Sequence, residues 1–106
     1  MTVTWSEQAA ESLRDIVSYV RKEFGIYAKQ RILHEVQEFV NLLPQNPQLG
    51  KVEPLLQDCS VEYRSYVINR INKVVYYINC DNNTIEIVAL WDTRREPDAQ
   101  AELLRK

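Results

Sequence analysis

The segment from Tyr63 to Cys80 concentrates the side chains best suited to chemistry. It carries three cations, Arg64, Arg70 and Lys73, and no acidic residue. Four tyrosines are interleaved with them: Tyr63, Tyr66, Tyr76 and Tyr77. Cationic side chains bind phosphate oxygens and aromatic rings stack on bases, so the segment indicates a phosphate or nucleic-acid site. The competing interpretation is structural, because basic residues protect exposed strands from edge pairing and tyrosine is a common strand former.

Two further guanidinium groups, Arg94 and Arg95, follow the last apolar segment of the chain. The whole chain has 13 basic and 15 acidic residues and a net charge of −2. Proteins that bind nucleic acid by bulk electrostatics carry an excess of positive charge. Any basic site in this protein must therefore be local.

The sequence predicts neither a metal site nor a cofactor. Its only cysteines, Cys59 and Cys80, lie far apart and its one histidine, His34, lies elsewhere, so a tetrahedral zinc site lacks ligands. Two glycines are too few for a glycine-rich phosphate loop. No signal peptide or membrane span is apparent, so we expect a cytoplasmic protein whose thiols stay reduced.

The first half of the chain predicts a strand and two helices. Val3 to Trp5 is typical of an edge strand, and Ser6 is suited to cap the helix that follows. Two apolar stripes at spacings of three and four define the helices: Leu13, Ile16, Val17, Val20 and Phe24, then Ala28, Ile32, Val36, Val40 and Leu43. Gly25 separates the helices and Pro44 ends the second, which predicts an antiparallel hairpin.

The second half predicts strands, since the apolar period changes to two and β-forming residues dominate. Three strands are expected, at Val61–Ile68, Lys73–Cys80 and Ile85–Trp91, after a connector from Pro44 to Pro54. Pro97 could open a short C-terminal helix. The prediction for residues 1–106 is a single α+β domain of order β-α-α-β-β-β, with the helical hairpin packed on one face of a mostly antiparallel sheet.

Alternation along the strands predicts which side chains share a face. The second strand separates Lys73, Val75 and Tyr77 from Val74, Tyr76 and Ile78. The latter set is more apolar and should face the helices. We therefore expect Lys73 and Tyr77 on the solvent side, with Arg64 and Tyr66 of the first strand beside them.

Over nearly its whole length the chain resembles the RelE/ParE toxins, the toxin and plasmid-stabilisation components of type II toxin–antitoxin systems. The resemblance runs through three stretches: WSEQAAESLRDIVSYV, AKQRILHEVQEFVNLLPQNPQLGK, and EYRSYVINRINKVVYYI with IEIVALWDTRREP. It implies two helices on a curved antiparallel sheet and a cognate antitoxin partner that covers the active face, in a hetero-oligomer.

The family includes ribosome-dependent mRNA endoribonucleases, and the resemblance assigns candidate catalytic positions to Arg64, Lys73 and Arg94. The substrate or partner contacts would come from Tyr66, Arg70, Tyr77 and Arg95, and Arg95 is the alternative to Arg94. Three departures stand against this activity. Tyr66 replaces an expected lysine, Lys73 replaces an arginine, and no tyrosine or histidine follows Pro97.

These departures favour the family's other activity, binding and poisoning of DNA gyrase without catalysis. The ribonuclease activity is the alternative, and an inactive member that only binds its antitoxin is a third possibility. Whether the protein is an enzyme stays open at this point.

Overall fold

The computed structural model describes residues 1–93 together with Ala101 and Leu104. Its elements follow in the order β1 (Thr2–Trp5), α1 (Glu7–Phe24), α2 (Ile26–Leu42), β2 (Lys51–Val52), a 3-10 turn (Pro54–Leu56), β3 (Arg64–Ile68), β4 (Asn72–Asn79) and β5 (Thr84–Asp92). The predicted α+β order is confirmed, with β2 as an additional strand within the expected connector. Apart from Ala101 and Leu104, the helix predicted from Pro97 lies outside the described residues.

The residues predicted to bound the helices do so. Ser6 caps α1: its Oγ accepts the Ala9 N–H at 3.0 Å and donates to the Val88 carbonyl of β5 at 3.1 Å. Gly25 separates α1 from α2 at φ 95°, a backbone conformation that L residues with a Cβ rarely adopt and that glycine adopts readily. The cap therefore fixes the start of the helical hairpin to the sheet, and Gly25 allows the reversal between its two helices.

The five strands form one mixed sheet in the order β1-β5-β4-β3-β2. β1 lies at one edge, as predicted, and pairs in parallel with β5, whereas the other three pairings are antiparallel. Asn69 and Arg70 adopt positive φ in the β3–β4 turn, and Asn83 does so before β5. Both turns lie where Asn-rich sequence predicts them.

Apolar side chains pack on both faces of the sheet. The larger cluster lies between sheet and helices and includes Val36, Phe39, Leu43, Val74 and Tyr76. A smaller cluster on the opposite face comprises Leu56, Val75, Ala89, Trp91 and Ala101. The 3-10 turn and Ala101 thus cover part of the sheet face opposite the helices. Of the helices in the described part of the chain, none is long and apolar enough to cross a membrane.

Candidate functional site

The two strands of the β3–β4 hairpin carry four of the predicted site residues, but they divide them between the two faces of the sheet. In the antiparallel register Arg64 lies opposite Tyr76, and Tyr66 lies opposite Val74. Paired residues share a face of the sheet, and Val74 and Tyr76 pack toward the helices, so Arg64 and Tyr66 lie on the helix-facing side. Lys73 lies opposite Val67, on the other side. The prediction that Arg64 and Tyr66 lie beside Lys73 and Tyr77 is therefore wrong. The prediction that Val74 and Tyr76 face the helices is confirmed.

Arg64 is held against the connector that precedes β3. Its guanidinium donates to the Gly50 carbonyl at 2.8 Å and to the Glu62 carboxylate at 3.3 Å, and 16% of the side chain is exposed. Its buried Nε has no hydrogen-bond partner among the described residues. The guanidinium of Arg64 is therefore bound by a backbone carbonyl and one carboxylate of the same chain.

Gly50 is the point where the connector crosses β3 and β4. Its N–H donates to the Tyr76 hydroxyl at 2.8 Å, and that hydroxyl donates to the Pro47 carbonyl at 2.8 Å. A Cβ at Gly50 would lie 2.6 Å from the Ser65 carbonyl oxygen, so only glycine permits the approach. Burial raises the pKa of Tyr76, while the Gly50 hydrogen bond and the Arg64 charge lower it by less. The buried tyrosine is thus kept neutral.

Lys73 belongs to a buried polar cluster on the opposite face. Its Nζ lies 2.5 Å and 3.3 Å from the two carboxylate oxygens of Glu53, a residue with no exposed surface. The Ser65 hydroxyl donates to the same carboxylate at 3.1 Å. The ammonium also lies 5.5 Å from the centre of the Trp91 ring, within range of a cation–π interaction. Lys73 is therefore neutralised where a catalytic base or phosphate ligand was expected.

Tyr66 and Tyr77 have different environments. Tyr66 stacks on Phe39 of α2 with 5.0 Å between ring centres, and 37% of it is exposed. The Tyr77 hydroxyl donates to the Glu86 carboxylate at 2.9 Å, and its ring meets Tyr63 edge-on at 5.8 Å. The hydrogen bond to Glu86 is the main cause that raises the pKa of Tyr77, followed by burial and nearby negative charge. The Tyr77 hydroxyl is thus a hydrogen-bond donor that the Glu86 carboxylate holds in place.

The remaining predicted residues are exposed or outside the described chain. Arg70 is exposed at the tip of the β3–β4 turn. Arg94 and Arg95 lie outside the described residues, so their roles stay predictions. Cys59 and Cys80 are free thiols. His34 is exposed and lies 2.8 Å from Glu38, one turn along the same helix.

Sequence reasoning missed Glu53, which organises the cluster around Lys73. One signal was available: an acidic residue directly before Pro54 is suited to cap a short helical turn, and Glu53 accepts the Leu55 N–H in that way. The ion pair itself joins residues 20 positions apart, and no local pattern predicts it. Within the described residues, Arg64 and Lys73 therefore lie on opposite faces of the hairpin and have separate partners.

Comparison with known proteins identifies a family over most of the chain. Residues 3–97 match the family model described as the ParE toxin of the type II toxin–antitoxin system parDE. No curated protein matches the chain significantly. The matched range includes both helices, strands β2 to β5 and all of β1 except Thr2.

Three solved structures share the fold. A chain of the chromosomal ParDE system from P. aeruginosa superposes with a TM-score of 0.70 at 18% identity, covering 89% of this chain and 97% of that one. The YoeB/ParE toxin from Agrobacterium tumefaciens superposes with a TM-score of 0.61 at 18% identity, covering 87% of this chain and 98% of that one. A chain of the intact E. coli RelBE toxin–antitoxin complex superposes with a TM-score of 0.58 at 9% identity, covering 89% of this chain and 98% of that one. At these identities the likeness concerns the fold alone.

Proposed function

This chain belongs to the ParE toxin family of type II toxin–antitoxin systems, and on that premise we propose that it arrests growth by binding DNA gyrase without catalysis. A cognate antitoxin would neutralise it. The proposed place of action is the cytoplasm, where gyrase works. The protein's own residues would supply a binding surface, and no metal or cofactor enters the proposal.

The observation that carries the non-catalytic part is the position of Lys73. A ribonuclease needs basic groups that converge on one phosphate and stabilise the charge that develops there. Lys73 is paired with the buried Glu53, while Arg64 lies on the other face and binds Gly50 and Glu62. Converting this arrangement into a shared active site would require breaking an ion pair with a fully buried carboxylate, which is strongly unfavourable.

The antitoxin part is supported by the family and by two of the structural relatives. The P. aeruginosa chain comes from a chromosomal ParDE toxin–antitoxin system, and the E. coli chain comes from an intact RelBE toxin–antitoxin complex. The exposed apolar residues of this chain, among them Tyr19, Phe24 and Tyr27, also offer surface that a partner could cover. A small neighbouring gene whose product relieves growth arrest is the expected genetic evidence.

The decisive experiment compares two assays on the purified protein. We expect inhibition of DNA supercoiling by gyrase, reversed by the antitoxin, with intact mRNA in a translating ribosome reaction. Relaxation by a type I topoisomerase, which is not the proposed target, is the matched control and should be unaffected. Cleaved mRNA with normal supercoiling would assign the ribonuclease activity instead. Absence of growth arrest on induction would indicate an inactive member of the family.

A further inference from the structure

The β3–β4 turn holds a large charged side chain in a backbone conformation that favours glycine. Arg70 adopts φ 62°, and Asn69 before it adopts φ 51°. Asparagine tolerates this left-handed region. Arginine is uncommon there, because its Cβ lies too close to the following carbonyl oxygen. Glycine would be the more stable residue at position 70. The turn therefore carries a cost in stability, and such costs are typical of functional sites.

The turn is anchored on both sides of Arg70, so its backbone is held in place. The Glu35 carboxylate of α2 accepts the Asn69 N–H at 2.9 Å. The Ile71 carbonyl accepts the backbone N–H of Thr93 at 2.8 Å and the Thr93 hydroxyl at 3.0 Å. These bonds fix the turn to a helix and to the residue that follows β5. The exposed side chain of Arg70 thus starts from a preorganised backbone, which lowers the entropy cost of binding a partner.

The three cations of the basic segment differ in their partners. Arg64 pairs with Glu62, and Lys73 pairs with Glu53. Arg70 forms no ion pair with a carboxylate in the part of the chain that the structure describes. Its guanidinium is therefore the group of this segment that is available to an anion outside the chain.

The surroundings of Arg70 favour a carboxylate on a protein over the phosphates of DNA. Binding to a DNA backbone is driven by several cations together. The turn supplies one cation, beside the carboxylate of Glu35. Exposed apolar side chains, Tyr66 and Val67, lie on the two faces of β3 just before the turn. Arginine and tyrosine next to apolar surface are typical of the residues that contribute most to protein interfaces, and a guanidinium binds a carboxylate through two parallel hydrogen bonds.

We propose that Arg70 is a target-contact residue whose guanidinium pairs with a carboxylate on the protein surface of gyrase, and that the strained turn presents it. The inference rests on the proposed function, because it names one contact of that same binding surface. It requires that the substitution best suited to the backbone of the turn also weakens the inhibition of gyrase. A purely structural or solubilising role for Arg70 predicts no such opposition between stability and activity.

The variant Arg70→Gly separates stability from binding. Glycine relieves the left-handed strain, so the free energy of unfolding in urea should equal or exceed that of wild type. The concentration that inhibits half of gyrase supercoiling should rise at least about tenfold, as expected for the loss of one strong interface contact. Arg70→Lys keeps the charge but loses the two parallel hydrogen bonds, and its loss should be about threefold. Unchanged inhibition by folded Arg70→Gly would overturn the proposal.

Two control variants match the change in backbone and the change in charge. Asn83→Gly makes the same backbone change in the β4–β5 turn, where Asn83 is exposed at φ 55°. Arg14→Gln removes one exposed cation from α1. Both variants should inhibit supercoiling within about twofold of wild type. A loss in Arg14→Gln as large as that in Arg70→Gly would show a general effect of charge and would contradict a specific contact.

Binding to purified gyrase without DNA distinguishes a carboxylate from a phosphate. Arg70→Gly should weaken this binding by the same factor by which it weakens inhibition. A loss that appears only when DNA is present would identify a phosphate contact and refute the carboxylate. Wild type that neither binds gyrase nor inhibits supercoiling would overturn the proposed function itself. Normal inhibition by wild type and by Arg70→Gly alike would overturn this inference alone.

Discussion

Lys73 and Glu53 form an ion pair on the face of the sheet opposite Arg64, with the carboxylate of Glu53 fully buried beneath the 3-10 turn. The pair joins the connector to β4, and the Ser65 hydroxyl completes it from β3. It therefore stabilises the arrangement of three segments, and it also neutralises the lysine that the resemblance makes a candidate catalytic residue.

Removing one partner of this pair should be more harmful than removing both charges. Lys73→Met leaves a buried carboxylate without its cation, and we expect the free energy of unfolding to fall by about 3 kcal/mol. Lys73→Met combined with Glu53→Gln removes the uncompensated charge and should be more stable than the single variant. Urea unfolding measures the free energy of unfolding of both variants and of the Glu53→Gln single variant. A double variant as unstable as the sum of its single changes would show that the two residues do not interact.

The hydroxyl of Tyr76 should matter more for stability than that of Tyr77. Tyr76→Phe leaves the buried N–H of Gly50 and the carbonyl of Pro47 without their partner, which should cost about 1–3 kcal/mol. Tyr77→Phe is the matched control, because it loses a hydrogen bond to Glu86 in a more exposed position and should cost about 1 kcal/mol or less. Equal losses in chemical denaturation would contradict the role of Tyr76 as the anchor of the connector.

Stability should fall at alkaline pH, partly through Tyr76. Burial raises its pKa in the folded state above the ordinary value of 10.0. Below that value Tyr76 holds its proton in both the folded and the unfolded state, and its contribution to the free energy of unfolding is fully present. Above it the unfolded tyrosine loses its proton while the folded one retains it, so stability falls as pH rises through the folded pKa. The free energy of unfolding, measured from about pH 9 to pH 11, should decline less steeply in Tyr76→Phe than in wild type. An equal slope in the two proteins would contradict this role of Tyr76.

The cap at Ser6 should stabilise the start of α1. Ser6→Ala removes the acceptor for the Ala9 N–H and the donor to the Val88 carbonyl, at an expected cost of about 1–2 kcal/mol. Ser18→Ala is the control, since Ser18 is exposed in the same helix and alanine is a better helix former. Thermal unfolding should show a clear decrease in Tm for the first variant only. A decrease of the same size in both would argue against the cap.

The elements were predictable from sequence because their signals are local. Ser6, Gly25 and Pro44 mark the helix ends through their own conformational preferences, and asparagines mark both strand turns. The resemblance to RelE/ParE toxins, carried by order and spacing along the chain, also predicted the family that residues 3–97 match. Strand β2 was missed, since Lys51–Val52 is too short to show a period of two.

The candidate site was less predictable because its geometry depends on register. Alternation separates Arg64 from Ser65, but both possible faces of β3 mix polar and apolar residues, so the sequence does not indicate which one faces the helices. The expectation that Arg64 lies on the solvent side rests on an assumed register with Lys73 and Tyr77 of β4, which the observed pairing does not have. In the structure its alkyl stem lies on the helix-facing side, and its guanidinium reaches the Gly50 carbonyl. Non-local partners such as Gly50 and Glu53 decide where the two cations lie.

The most direct test of the non-catalytic account combines the ion pair with the proposed target. Wild type and the Lys73→Gln, Glu53→Gln double variant are titrated into a gyrase supercoiling reaction, and both are tested on mRNA in translating ribosomes. The account predicts equal inhibition of supercoiling by the two proteins and intact mRNA with either. Cleavage of mRNA by wild type that is lost in the folded double variant, with supercoiling unaffected, would contradict it.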